Sequence, residues 1–159
     1  MLPLEDRVAL RELVEAYGMA VDALDVEWFN SLWTPDAVLA LHDATGETRR
    51  WTGDEIAGIV AGVGRYLRTL HFVGNHRAHV EGAIVSGHTY CFAHHLVAAT
   101  DGREEHARDR VLAIRYDDRY ARADPDADAD AQPAWRFARR DVRMLWRAHH
   151  DVELAGYEL

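Results

Sequence analysis

At 159 residues the chain has the length of one domain, enough to bury roughly 70% of its unfolded surface. A formal net charge of −9 argues against sequence-independent nucleic-acid binding and against docking to an anionic membrane, since both need a lysine and arginine excess. Cys91 is the only cysteine, so no intramolecular disulfide can form and nothing points to an oxidising compartment.

Residues 5–24 read as a helix with Glu5 and Asp6 in its first turn, where the positive end of the dipole favours acids. Leu10, Leu13, Val14, Tyr17 and Val21 recur at helical spacing and form a core-facing stripe. Asp22 falls beside that stripe, in line with Glu15, Gly18 and Met19. Asp25 caps a short second helix over 26–33, which Pro35 ends. Residues 36–42 form an apolar strand, and a second short strand over 48–51 completes a hairpin. A third helix starts at Thr52, with Ile56, Ile59, Val60, Val63 and Leu67 as its buried face. Gly58, Gly62 and Gly64 weaken it by about 1 kcal/mol each relative to alanine.

From there the pattern is strand-like: 70–80, 83–100, 108–120 and 134–146, with turns at Glu81-Gly82 and Asp101-Gly102. The acidic, low-complexity stretch at 123–133 reads as an exposed hairpin connection. Helices first and four long antiparallel strands after them imply an α+β fold, a curved sheet wrapped over the N-terminal helices as a cone with an open mouth.

Ten histidines are many for this length. The most informative one is His71, in Thr69-Leu-His-Phe-Val-Gly-Asn75, where an imidazole sits inside an apolar strand and alternates with Leu70 and Phe72. Buried there, it needs a partner. Asp22 is the nearest by pattern, and the two would make a base with its orienting acid. An imidazole titrates near neutral pH, and a carboxylate on its far nitrogen fixes the tautomer.

The segments Arg7–Tyr17, Val21-Asp22, Trp28-Phe29 and Trp33–Val38, followed by Thr69–Asn75, Glu81-Gly82 and Trp135–Arg140, resemble the SnoaL-like group of the nuclear transport factor 2-like superfamily. The resemblance spans nearly the whole chain and is nearest to the scytalone dehydratase, hexachlorocyclohexane dehydrochlorinase and bile-acid 7α-dehydratase branches. It implies one SnoaL-like domain over 1–159 and an Asp–His dyad performing elimination without metal or organic cofactor. Position by position, Asp22 matches the dyad acid, His71 the base, and Tyr17 a donor to a substrate oxygen. His94 matches a pocket residue on the same face as Tyr90 and Phe92, with His95 pointing away unless a one-residue bulge exchanges them. Arg140 matches a substrate-anchoring position, with Arg139 as its rival, and Asp141 departs from the basic residue common next to it.

His76 and His79 read as exposed, His88 as lining an outer cavity, and Cys91 as a small buried hydrophobe. No metal-ligand spacing, phosphate loop, nucleophile elbow or dinucleotide fingerprint is visible. The expected function is therefore a cofactor-independent lyase, a dehydratase acting on a small cyclic, polyketide- or steroid-like substrate. The alternatives are a ring isomerase or polyketide cyclase using the same base, and a non-catalytic binding or assembly module like a dioxygenase small subunit. A homo-oligomer, dimer or trimer, pairing through the outer sheet face is expected. With no leader or membrane-spanning run in the sequence, so is a cytoplasmic location.

Overall fold

Leu4–Asp22 contains mostly strong helix formers with one glycine, and it forms a helix, α1, that buries Leu10, Leu13, Val14, Tyr17 and Val21. The computed structural model describes residues 1–99, 106–123 and 135–154. The acidic connection expected at 123–133 lies, from Asp124 onward, outside the described residues. Helix α2 (Val26–Ser31) starts where the Asp25 side chain accepts from the Trp28 amide at 2.9 Å. The third helical segment is shorter than its apolar pattern suggests: a 3-10 turn, Gly53–Ala57, runs into α3 (Gly58–Val63), which stops before Gly64. Its three glycines limit it to about one and a half turns, and Leu67, expected on its buried face, is exposed.

Six strands follow the order β2-β1-β6-β5-β4-β3 in one curved, unclosed sheet. They are β1 (Trp33–His42), β2 (Thr48–Thr52), β3 (Arg68–Glu81), β4 (Ile84–Ala98), β5 (His106–Arg122) and β6 (Trp135–Glu153). The four long strands pair antiparallel in sequence, as expected, and β1 joins β6 in parallel. The helices cover the concave face, so the fold is the α+β cone that the element order implied.

The sheet carries one irregularity of consequence. In β3, Gly74 and Asn75 together oppose Tyr90, because His76 pairs with Thr89 and Val73 with Cys91. This is a β-bulge, and it slips the side-chain alternation of β3 by one residue. Next to the hairpin turn, His76 and Ala78 are the half-buried residues; beyond the bulge, Thr69, His71 and Val73 are. Had the hairpin register (Glu81 with Ile84) continued, His71 would sit opposite His94 on the outer face. The bulge turns it inward.

At the closed end of the cone lies an ion pair with no solvent exposure. Asp118 accepts two parallel bonds from Arg140, both 2.8 Å. The guanidinium carbon lies 4.1–4.2 Å from the ring centroids of Tyr17, Tyr116 and Phe137. Burial alone would weaken the Arg140 charge, but Asp118 overrides it and holds the group firmly protonated. Tyr120 donates to Asp118 at 3.1 Å and meets His76 Nε2 at 3.2 Å, so His76, expected to be exposed, faces the interior. Burial is the main reason its pKa falls to about 4. The N-terminus of α1 is tied to the same end, since Asp6 accepts from Arg122 at 2.7 Å and from the Trp135 indole at 3.0 Å.

Replacing Arg140 with methionine leaves the Asp118 carboxylate buried without its partner. Urea unfolding should show a loss of about 3–5 kcal/mol, and Asp118→Asn in the same chain should recover much of it.

Candidate active site

Asp22 is the last residue of α1, a position where an acid faces the negative end of the helix dipole and no basic residue shares the turn. Its carboxylate is instead satisfied by the sheet. Oδ1 accepts from His71 Nδ1 and from the Thr69 hydroxyl, both at 2.7 Å, and Oδ2 accepts from the His71 backbone amide at 2.7 Å. Burial would raise the Asp22 carboxyl, but the hydrogen bonds and charge of His71, with the Thr69 hydroxyl, outweigh it and leave the pKa below 3.8. The sequence reading of this pair thus matches the geometry: the acid of the first helix meets the imidazole of the central motif. Only 8% of the His71 side chain is exposed, so the contact is sheltered.

Because a carboxylate only accepts, His71 Nδ1 carries a proton, and in the neutral tautomer the lone pair is on Nε2. A carboxylate bonded to Nδ1 fixes the orientation of the imidazole ring.

The second histidine of the site is His95, not His94. His71 pairs across the ladder with Ala93, and directly opposed residues share a face, so Cys91, Ala93 and His95 point inward. The His95 ring lies 5.7 Å from that of His71, edge to face, and 4.7 Å from that of Tyr66. His95 Nδ1 donates to the Arg110 carbonyl at 3.4 Å. Burial is the main reason the His95 pKa is lowered, with a further lowering from His71. His94 is on the outer face with Tyr90 and Phe92, where it bonds to Asp109 at 2.6 Å. The expectation that His94, Tyr90 and Phe92 line the pocket is therefore corrected: the three do share a face, but it is the convex one.

Tyr17 and Arg140 do face inward, and Arg139 is on the outer side, where it bonds to Asp141. Neither Tyr17 nor Arg140, however, has a hydrogen bond or ring contact with the dyad among the described residues. Tyr17 packs among Phe29, Trp33, Tyr116 and Phe137, and burial pushes its phenol up to about 12, against the Arg140 charge. Arg140, expected to anchor a substrate anion, already spends its charge on Asp118. Both belong to the closed end of the cone.

A cavity of 410 Å³ opens at the mouth beside the dyad, lined by Asp22, Leu24, Val63, Tyr66 and Thr69 among others. Tyr66 was not singled out by motif. It follows α3 with no periodic signal, its ring packs on His95, and Arg65 lies 5.0 Å from its centroid. A larger recess of 740 Å³ is lined by the C-terminal ends of β4 and β6 and the start of β5. It contains no member of the dyad, and its Arg108 pairs with its own Asp151 at 3.6 Å, so the chemistry places the site at the smaller cavity. Among the described residues, no group of three or more metal-ligating side chains converges, and no helix is long and apolar enough to cross a membrane.

Since the folded state depresses the Asp22 pKa, its stabilisation is complete above the ordinary carboxylate value and is lost as pH falls through the lower folded value. In urea unfolding the wild-type chain should exceed Asp22→Asn in stability above the ordinary carboxylate pKa, with the gap closing as the pH falls below it. A gap independent of pH would contradict this assignment.

Solved structures share the architecture. A candidate aromatic ring hydroxylase of Novosphingobium aromaticivorans superposes with a TM-score of 0.73 at 22% identity, over 94% of this chain and 96% of its own. A candidate scytalone dehydratase of the same organism gives 0.70 at 20% identity, over 98% and 97%. A hexachlorocyclohexane dehydrochlorinase of Novosphingobium barchaimii gives 0.69 at 21%, over 98% and 94%. These likenesses concern the fold. No curated protein matches the chain in sequence. The model of the SnoaL-like domain matches residues 3–141, and with the cone-shaped architecture this places the chain in the SnoaL-like family of the nuclear transport factor 2-like superfamily.

Proposed function

We propose that the protein is a cofactor-independent lyase that removes water from a small cyclic, polyketide- or steroid-like hydroxy compound. The observation that carries this reading is the sheltered Asp22–His71 contact beside a cavity. His71 Nε2 takes a proton from the carbon next to an electron-withdrawing group. The C–H electron pair becomes the new double bond, the C–O bond breaks, and the leaving hydroxyl takes the proton from the imidazolium to depart as water. Asp22 stabilises the transient imidazolium and keeps the ring oriented. His95, whose ring lies edge to face with that of His71, orients a substrate hydroxyl beside the base. Tyr66 supplies an aromatic wall. The dehydratase and dehydrochlorinase among the structural neighbours support elimination as the reaction class.

The same base moving a proton without loss of a leaving group would make the protein an isomerase or cyclase. A panel of cyclic β-hydroxy ketones, followed by mass spectrometry, separates the two: loss of water marks the lyase, and a product of unchanged mass marks the isomerase. His71→Gln and Asp22→Asn should each lower turnover by about 10²–10⁴-fold. A His71→Gln chain as active as the wild type would refute the reading.

One observation favours an assembly role alongside or instead of chemistry. The outer sheet face exposes Leu70, Phe72, Tyr90, Phe92 and Trp146 on neighbouring strands, a contiguous apolar patch of the kind that marks an interaction surface. We propose that a second copy of the chain covers it. Trp146→Lys with Phe92→Lys should shift the light-scattering mass to that of one chain, and an unchanged mass would reject this face as the interface.

A further inference from the structure

Helix α1 meets β3 along one stripe, residues 11, 15, 18 and 22, spaced so that all four lie on the same side of the helix. Three of these make or permit a contact. At the far end Arg11 donates through Nη1 to the Gly74 carbonyl and through Nη2, at 3.3 Å, to the Val73 carbonyl. Those two carbonyls flank the start of the bulge that turns His71 inward. In the middle, Gly18 lies against β3 so closely that an added Cβ would stand 3.1 Å from His71 Cβ, 3.3 Å from Val73 Cγ2 and 3.4 Å from the His71 carbonyl. At the near end Asp22 accepts from His71 and Thr69. The strand is an edge strand, so carbonyls and an amide left without a ladder partner receive Arg11 and Asp22 instead.

We propose that Arg11 and Gly18 are positioning residues of the dyad. Arg11 locks the bulge that sets the facing of His71, and Gly18 sets the helix-to-strand distance that the 2.7 Å contact requires. Neither touches the mouth cavity, and neither is needed for the core stripe, which Leu10, Leu13, Val14 and Val21 supply. Their effect on turnover rests on the lyase reading, but their effect on geometry does not.

The test reads the dyad directly, with no substrate present. In the wild type, imidazole ¹⁵N correlation spectra should show His71 protonated at Nδ1, with that proton in slow exchange with water. Arg11→Met and Gly18→Val should speed this exchange about tenfold or more, the size expected for weakening a hydrogen bond to a charged acceptor. Gly18→Ala, which asks the neighbours to give by only a few tenths of an ångström, should fall between Gly18→Val and the wild type, and Arg11→Lys between Arg11→Met and the wild type. Asp22→Asn marks the fully released state, and His42, which bonds to Asp141 elsewhere, should keep its signals in every variant. Should the two larger changes prevent folding, the Gly18→Ala and Arg11→Lys spectra decide alone. Folded variants whose His71 signals and exchange match the wild type would overturn the proposal, since a purely stabilising role would leave them unmoved. If the graded loosening is seen while the wild-type chain converts no member of the substrate panel, the positioning role stands and the lyase reading fails.

Discussion

A carboxylate at the C-terminal end of a helix is in the wrong place electrostatically, and an amide on the open side of an edge strand lacks a ladder partner. In this protein the two problems solve each other. Asp22 takes three donors from β3, and in doing so joins the helical layer to the edge of the sheet at the mouth of the cone. Local preference would place a cation there. An interaction that breaks a local rule and is compensated by tertiary contacts is what a functional site is expected to look like.

The two ends of the cone divide the work. The closed end is sealed by the Arg140–Asp118 pair, wrapped in aromatic rings and extended through Tyr120 to His76. Asp118 takes the Nε and Nη2 donors of Arg140 and leaves Nη1 buried without a hydrogen-bond partner among the described residues, so most of the guanidinium charge is spent on the fold. The mouth cavity is lined by Asp22, Thr69 and the Tyr66 ring, with His71 and His95 packed behind them. Perturbed groups occur at both ends, and geometry, not perturbation, separates the structural set from the chemical one.

The cone is shared by proteins bearing names as different as ring hydroxylase, dehydratase and dehydrochlorinase. Membership in the family therefore fixes the scaffold and leaves the task to the side chains in the mouth. The outer face is a separate surface with its own logic. Its bonded pairs, His94 with Asp109 and His42 with Asp141, show how histidines abundant in the chain are spent on sheet structure away from the cavity.

The amino-acid sequence by itself determined the order of elements, the α+β class, the core stripe of α1 and the partnership of Asp22 with His71. Each rests on signals that act over a few residues or on a motif: 3.6-residue and two-residue periodicity, capping and turn residues, and an imidazole stranded in an apolar run. It also held a sign of the bulge, since Gly74-Asn75 interrupts a strand pattern where glycine marks irregular pairing. Only the tertiary structure decided what that bulge did. Facing alternates with every residue, so one extra residue in β3 reverses which histidine of β4 lies beside His71, and His95 takes the place that His94 held in the linear pattern. The same holds for Tyr17 and Arg140, whose inward direction was legible but whose depth was not. Depth depends on which side chains from distant strands arrive first, and Asp118, 22 positions before Arg140 in the chain, is the group that reached the guanidinium.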